Sequence, residues 1–125
     1  MDPFTLLVVE GEFLIRWAVG ERLAEEGCRV VEAEDVHTGR RRFREGCDGV
    51  LLDLDLPDVA GRDLLREFRG VRPGTPVVMM SAHCSPRVRA ALVGEGAWGF
   101  VPKPFDLEEV VRLVARLRES RLAMG

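Results

Sequence analysis

Five short apolar runs punctuate the chain, each bounded by glycine, proline or charge. The first, Leu6 to Val9, ends at Glu10 and Gly11; the others are Arg29 to Ala33, Gly49 to Asp53, Pro76 to Ser81 and Gly99 to Pro102. Runs of this length, rich in Val or Leu, predict strands buried on both faces, as strands of a parallel sheet are. The intervening segments carry a helical period. One covers Phe13 to Glu26 and stops at Gly27, and the next runs from about Asp35 to Glu45 and stops at Gly46; glycine is a good C-terminal signal. A third spans Gly61 to about Val71. The fourth opens at Ser85 and Pro86, where serine caps and proline occupies the first turn. The last opens with Asp106 and Glu109, a variant of the capping box. It repeats Val110, Leu113, Val114 and Leu117 at i, i+3, i+4 and i+7, so one of its faces is buried.

Five strands alternating with five helices predict a doubly wound α/β sandwich. Parallel strands need crossover connections, and helices must cover both faces of the sheet. In such folds the ligand site lies outside the carboxyl ends of the strands. Those ends collect Glu10 and Glu12 after the first strand, Asp53 and Asp55 after the third, Ser81 after the fourth and Lys103 after the fifth. Carboxylates, a hydroxyl and an ammonium at one rim are the parts for binding a divalent cation and a phosphoryl group together. Lys103 stands out as the only lysine of the chain, in a Lys-Pro dipeptide directly after an apolar strand.

Composition narrows the class. With 125 residues, 46% hydrophobic and 31% charged, the chain is the size of one ordinary domain. It buries enough surface to need no disulfide frame or structural metal. Cys28, Cys47 and Cys84 fit neither a zinc pattern nor a paired framework, which points to a reducing, cytoplasmic setting. A net charge of −3 lacks the electrostatic footprint of a nucleic-acid binder. No apolar run approaches the length of a membrane span, and the N-terminus lacks the features of a signal peptide. Residues 1–5 read as a cloning scar, residues 6–118 as the folded domain, and residues 119–125 as a tail or the start of a linker to an output domain outside this sequence.

Four motifs in order resemble those of a response-regulator receiver domain of two-component signalling, over Leu6 to about Arg118. They are Leu-Val-Val-Glu-Gly-Glu at Leu7 to Glu12, Leu-Leu-Asp-Leu-Asp-Leu-Pro at Leu51 to Pro57 with Gly61 beyond it, Met-Met-Ser-Ala-His at Met79 to His83, and Phe-Val-Pro-Lys-Pro-Phe at Phe100 to Phe105. The resemblance implies a flavodoxin-like fold and a switch rather than an enzyme. It further implies that Asp53 accepts a phosphoryl group from a histidine kinase as an acyl phosphate, with Mg²⁺ and Lys103 offsetting charge and Ser81 binding a phosphate oxygen. By the same resemblance the Lys103–Pro104 peptide is cis, and Phe100 is the aromatic that changes rotamer with Ser81. The partner surface is then the fourth helix, fifth strand and last helix, a face for homodimerisation, with Trp98, Phe100 and Val110 as its anchors. The stretch from Ser81 to Pro86 and the ending from Lys103 to Glu109 resemble receivers of enhancer-binding transcription activators. In those, the downstream part carries an ATPase and a DNA-binding domain.

One position departs from the pattern. Where the family has the second carboxylate of its acidic pair, the direct magnesium ligand, this chain has Gly11, while Glu12 lies past the ligand position. Glu10, Asp53 and the Asp55 backbone carbonyl are left as the magnesium ligands, and affinity should fall. A second reading stays open: a degenerate receiver that docks or dimerises without phosphate. A third, a small phosphatase built on the Asp53–Asp55 motif, is disfavoured because such enzymes place that motif after the first strand. Other features have plain structural readings. Met79 and Met80 are core residues, Trp17 is packed or half-packed, His37 and His83 lack metal-ligand company, and the Arg40 to Arg44 run is a solvated helix face paired with acids.

Overall fold

The computed structural model describes residues 3–56 and 61–124, so residues 1–2, 57–60 and 125, Pro57 of the third-strand motif among them, lie outside the described residues. Strands and helices alternate along the chain: β1 (Thr5–Val9), α1 (Phe13–Glu25), β2 (Arg29–Ala33), α2 (Val36–Glu45), β3 (Gly49–Asp53), α3 (Gly61–Val71), β4 (Val77–Ser81), α4 (Pro86–Gly94), β5 (Gly99–Pro102) and α5 (Leu107–Met124). All strand pairs are parallel, in the order β2-β1-β3-β4-β5.

The two-residue period of the strands divides the core. Leu7, Val9, Val50, Leu52, Val77 and Met79 point to one face, where Phe43 of α2, Leu64 and Phe68 of α3 and Leu92 of α4 cover them. Leu6, Val8, Leu51, Val78, Met80 and Val101 point to the other, against Val19 and Leu23 of α1 and Val110, Val114 and Leu117 of α5. With both faces covered, β1, β3 and β4 are apolar without alternation, which is why their runs were continuous in the sequence.

The helix boundaries follow their caps. Asp35 accepts the Thr38 amide ahead of α2, and Ser85 accepts the Val88 amide ahead of α4, with Pro86 in the first turn. Asp106 accepts the Glu108 amide ahead of α5. Gly27 and Gly46, at φ 85° and 107°, turn the chain out of α1 and α2 in a region that side-chain-bearing residues avoid.

Two domain limits need correction. Phe4 and Thr5 belong to the fold. Thr5 starts β1 and its amide donates to Asp48 Oδ2, while Phe4 is buried under the Arg118 guanidinium. At the other end α5 continues to Met124, so residues 119–124 extend the helix and do not form a separate tail. The cysteines are free. Among the described residues no helix is long and apolar enough to cross a membrane.

Candidate functional site

In a sheet ordered β2-β1-β3-β4-β5 the chain winds one way from β1 to β2 and the other way from β3 onward, which opens a crevice between the carboxyl ends of β1 and β3. Glu10 leaves β1 there, its amide still bonded to the Ala33 carbonyl, and Asp53 ends β3. Ser81 ends β4, and the Lys103 amide donates to the Ser81 carbonyl at 2.8 Å. The Lys103–Pro104 peptide is cis.

The side chains converge. Lys103 Nζ lies 2.6 Å from Glu10 Oε1 and 3.2 Å from Asp53 Oδ1. Asp53 Oδ1 also accepts the Asp55 amide at 2.9 Å, and Glu10 Oε2 accepts the Glu12 amide at 2.9 Å. The Asp55 carboxylate reaches across to β4, accepting the Ser81 hydroxyl through Oδ1 at 2.9 Å and the Ala82 amide through Oδ2 at 2.8 Å. Five of the six rim residues singled out in the sequence therefore form one connected cluster. The sixth, Glu12, is the N-cap of α1, with an exposed side chain that makes no cap bond, and it enters the cluster only through its backbone.

Burial sets the electrostatics. Glu10 is fully buried, and this raises its carboxyl above the usual range against the opposing pull of the Glu12 amide and Lys103; the Asp53 charge adds to the rise. Burial alone would lower the Lys103 ammonium, but the bond and charge of Glu10, with Asp53 behind them, outweigh it and the net shift is upward. The lysine is thus held as a cation between two carboxylates.

Gly11 is exposed, and a Cβ there would stand 3.8 Å from the Glu34 carbonyl and 3.9 Å from Leu56, so the position has room for a side chain. Among the described residues no group of three or more His, Cys, Asp and Glu side chains is arranged to hold a metal. Magnesium, however, is held by as few as one or two carboxylates when water completes its octahedron. Asp53 and Glu10 supply two, with Lys103 Nζ 2.6 Å from the buried Glu10 Oε1. The residues present fit a magnesium ion in donor type.

The sequence-stated anchors of the partner face fare differently. Phe100 is half-buried beside a groove of about 610 Å³ between α4 and β5, with the Arg89 guanidinium 4.9 Å from its ring centre. Trp98 precedes β5, at the opposite end of the strand from the rim, half-buried beside Arg69 and Arg121. Val110 is a correction: at 1% exposure it faces the core, because the i, i+3, i+4 stripe it belongs to is the stripe that covers the sheet. The exposed side of that helix instead offers Glu109, Arg112 and Arg116. Met79 and Met80 are fully buried, and Trp17 is 51% exposed beside exposed Phe13 and Leu14. Arg40 pairs with Glu67 and Arg42 with Glu45, as a solvated helix face does.

Two features escaped the sequence reading: the Asp55 bonds to Ser81 and Ala82, and a clamp in which Glu95 after α4 binds Arg62 and Arg66 of α3. The acidic-basic composition of those helices hinted at the second, but nothing in the sequence selects those partners.

Comparison with known proteins agrees with this geometry. TcrX of Mycobacterium tuberculosis, a probable transcriptional regulatory protein, is 38% identical over 121 residues, which cover 95% of this chain and 52% of TcrX. NtrC of Proteus hauseri, a DNA-binding transcriptional regulator, is 34% identical over 93% of this chain and 25% of its own length. The chain thus spans about half or less of these relatives. Among solved structures, a CheY-like receiver domain protein from Methanospirillum hungatei superposes with a TM-score of 0.94 at 22% identity, covering 99% of this chain and all of the other. NtrX of Brucella abortus gives 0.90 at 28% identity, covering 98% of this chain and 28% of NtrX. Residues 6–115 match the response regulator receiver domain family, and with the strand order and the rim cluster in place this chain belongs to that family.

Proposed function

We propose that this domain is a stoichiometric phosphoacceptor switch: Asp53 takes a phosphoryl group from a histidine kinase, and the face made by α4, β5 and α5 changes its partner in response. The observation that carries the reading is the placement of Lys103 Nζ 3.2 Å from Asp53 Oδ1, on a rim that also holds the Ser81 hydroxyl. An ionised carboxylate needs no base to act as nucleophile. Oδ1 of Asp53 is engaged by Lys103 and the Asp55 amide, whereas Oδ2 accepts no hydrogen bond among the described residues and is the attacking oxygen. A new O–P bond forms as the donor's N–P bond breaks, and the departing nitrogen keeps the electron pair.

Lys103 offsets the negative charge that gathers between the carboxylate and the phosphoryl oxygens. Receiver domains generally bind Mg²⁺ for this step; here the Asp53 and Glu10 carboxylates with the Asp55 backbone carbonyl would hold it, more weakly for want of a carboxylate at Gly11. Bound there, the ion supplies further screening of the same charge. The grooves beside Phe100 and along α5 provide the responding surface, including a second copy of the domain as partner. The coverage of the relatives supports a longer chain whose remaining part binds DNA.

The test is intact-protein mass after incubation with acetyl phosphate, with Mg²⁺ and with EDTA, beside Asp53→Asn. A magnesium-dependent gain of one phosphoryl group, absent from the variant, is the expected result. No gain in the native protein, with gain restored by Gly11→Asp, favours a second reading that Gly11 itself motivates: a docking or dimerisation module that works without phosphate.

A further inference from the structure

Asp55 lies on the surface two residues beyond the proposed nucleophile, yet its carboxylate is not simply solvated. Oδ1 accepts the Ser81 hydroxyl at 2.9 Å and Oδ2 accepts the Ala82 amide at 2.8 Å, so the two oxygens straddle consecutive donors at the end of β4. The Ser81 oxygen itself accepts the His83 amide at 2.9 Å. A hydroxyl has one proton to give, and an ionised carboxylate can only accept, so that proton is committed to Asp55. Bonds of this kind, with an ionised acceptor, are the stronger class.

The same two donors face the rim that holds Asp53. A phosphoryl group on Asp53 brings three acceptor oxygens and close to two negative charges. Lys103 answers part of that need, and the Ser81 hydroxyl and the Ala82 amide are the next donors along the rim. They cannot serve both anions. The single Ser81 proton has one acceptor at a time, and two anions side by side on adjacent donors repel.

We propose that Asp55 is a positioning residue that acts as a built-in anion: its carboxylate occupies the Ser81 hydroxyl and Ala82 amide in the unmodified protein and must be displaced before a phosphoryl group can use them. The proposal rests on the phosphoacceptor reading for the identity of the competitor. Its consequence is twofold. The end of β4 is already ordered around an anion before any modification, and the modified state is less favourable than it would be with a neutral side chain at this position. A site that is self-occupied nine-tenths of the time binds its ligand about tenfold more weakly than the open form does.

Beryllofluoride with Mg²⁺, a stable mimic of the acyl phosphate, is the probe, applied to the intact chain, to Asp55→Ala and to Asp55→Asn. Without the probe, the Ala82 amide proton is read by NMR. It should resonate downfield in the native protein, move upfield in Asp55→Ala and exchange with solvent about tenfold faster, with Asp55→Asn between the two because one acceptor oxygen remains. With the probe, Asp55→Ala should reach half-saturation at about tenfold lower beryllofluoride. Should Asp55→Ala fail to fold, Asp55→Asn carries both readouts with the same expected direction. An unchanged Ala82 amide, or equal half-saturation in native and variant proteins, overturns the proposal while leaving the phosphoacceptor reading intact. Failure of both proteins to take up beryllofluoride, while each stays folded, overturns the phosphoacceptor reading and the competition with it.

Discussion

Lys103 Nζ stands closer to Glu10 Oε1, at 2.6 Å, than to Asp53 Oδ1, at 3.2 Å. The lone lysine of the chain is therefore also the counter-charge of a fully buried glutamate. Removing it leaves that carboxylate without its counter-ion, the costly way to break a buried pair. Lys103→Met is expected to lose about 3 kcal/mol of stability in urea unfolding at pH 7. Adding Glu10→Gln to that variant should recover at least half of the loss, since the stranded charge is then gone. Additive losses in the two variants would show that the pair contributes no coupling.

Gly11→Asp tests the metal argument from the opposite side. The position is exposed and a Cβ meets nothing closer than 3.8 Å, so the new carboxylate enters without displacing backbone. A third carboxylate at the rim should tighten Mg²⁺ by about tenfold in calorimetric titration, about 1.4 kcal/mol. Without metal the same variant should lose stability, because three carboxylates then share one lysine. Equal Mg²⁺ affinity in the two proteins would remove Gly11 from the account of the site.

Gly61 opens α3 where the chain passes tightly over the end of β3. A Cβ there would lie 2.5 Å from the Asp53 carbonyl and 2.6 Å from Leu54 Cα, against backbone that cannot rotate aside. Gly61→Ala is expected to cost about 2–4 kcal/mol and to shift the Asp53 and Asp55 amide resonances, because relief of the clash moves that strand end. Gly70→Ala, in the same helix with nothing within 4 Å of its Cβ, is the control that should be neutral or mildly stabilising.

Glu95 after α4 binds Arg62 through both carboxylate oxygens at 2.8 and 2.9 Å and Arg66 at 2.8 Å, fastening the end of α4 to α3. Arg62 foremost, and then Arg66, hold its carboxyl down to about 2 from an ordinary 4.5. A depressed carboxylate lends stability above its unfolded-state value and loses it as pH falls toward the folded one. Glu95→Gln should therefore be less stable than the native domain at pH 7. The gap should close between pH 4.5 and about 2 in thermal melts across that range. A gap that persists at the acid end would assign the loss to packing instead of charge.

Much of this molecule was legible from local pattern. The five apolar runs became strands because burial on both faces demands unbroken hydrophobicity, and Ser85, Pro86, Gly27 and Gly46 ended or began helices for reasons of backbone geometry. The rim residues could be picked out because every parallel strand delivers its carboxyl end to the same side. Val110 misled for an equally physical reason: the spacing that marks it as one of a stripe says that the stripe is buried, and a partner face must be sought on the helix's other side.

By itself the sequence determined the elements, their order and the side of the sheet on which chemistry gathers, since period, caps and strand ends are properties of near neighbours along the chain. Only the tertiary structure decided who bonds to whom: Lys103 to Glu10 first, Asp55 to Ser81 and Ala82 across 26 and 27 residues, Glu95 to two arginines of another helix, Phe4 into the core and Thr5 into β1. These are choices among competing partners of like chemistry. They turn on differences in distance and burial that exist only once the strands are in register and the helices laid on the sheet.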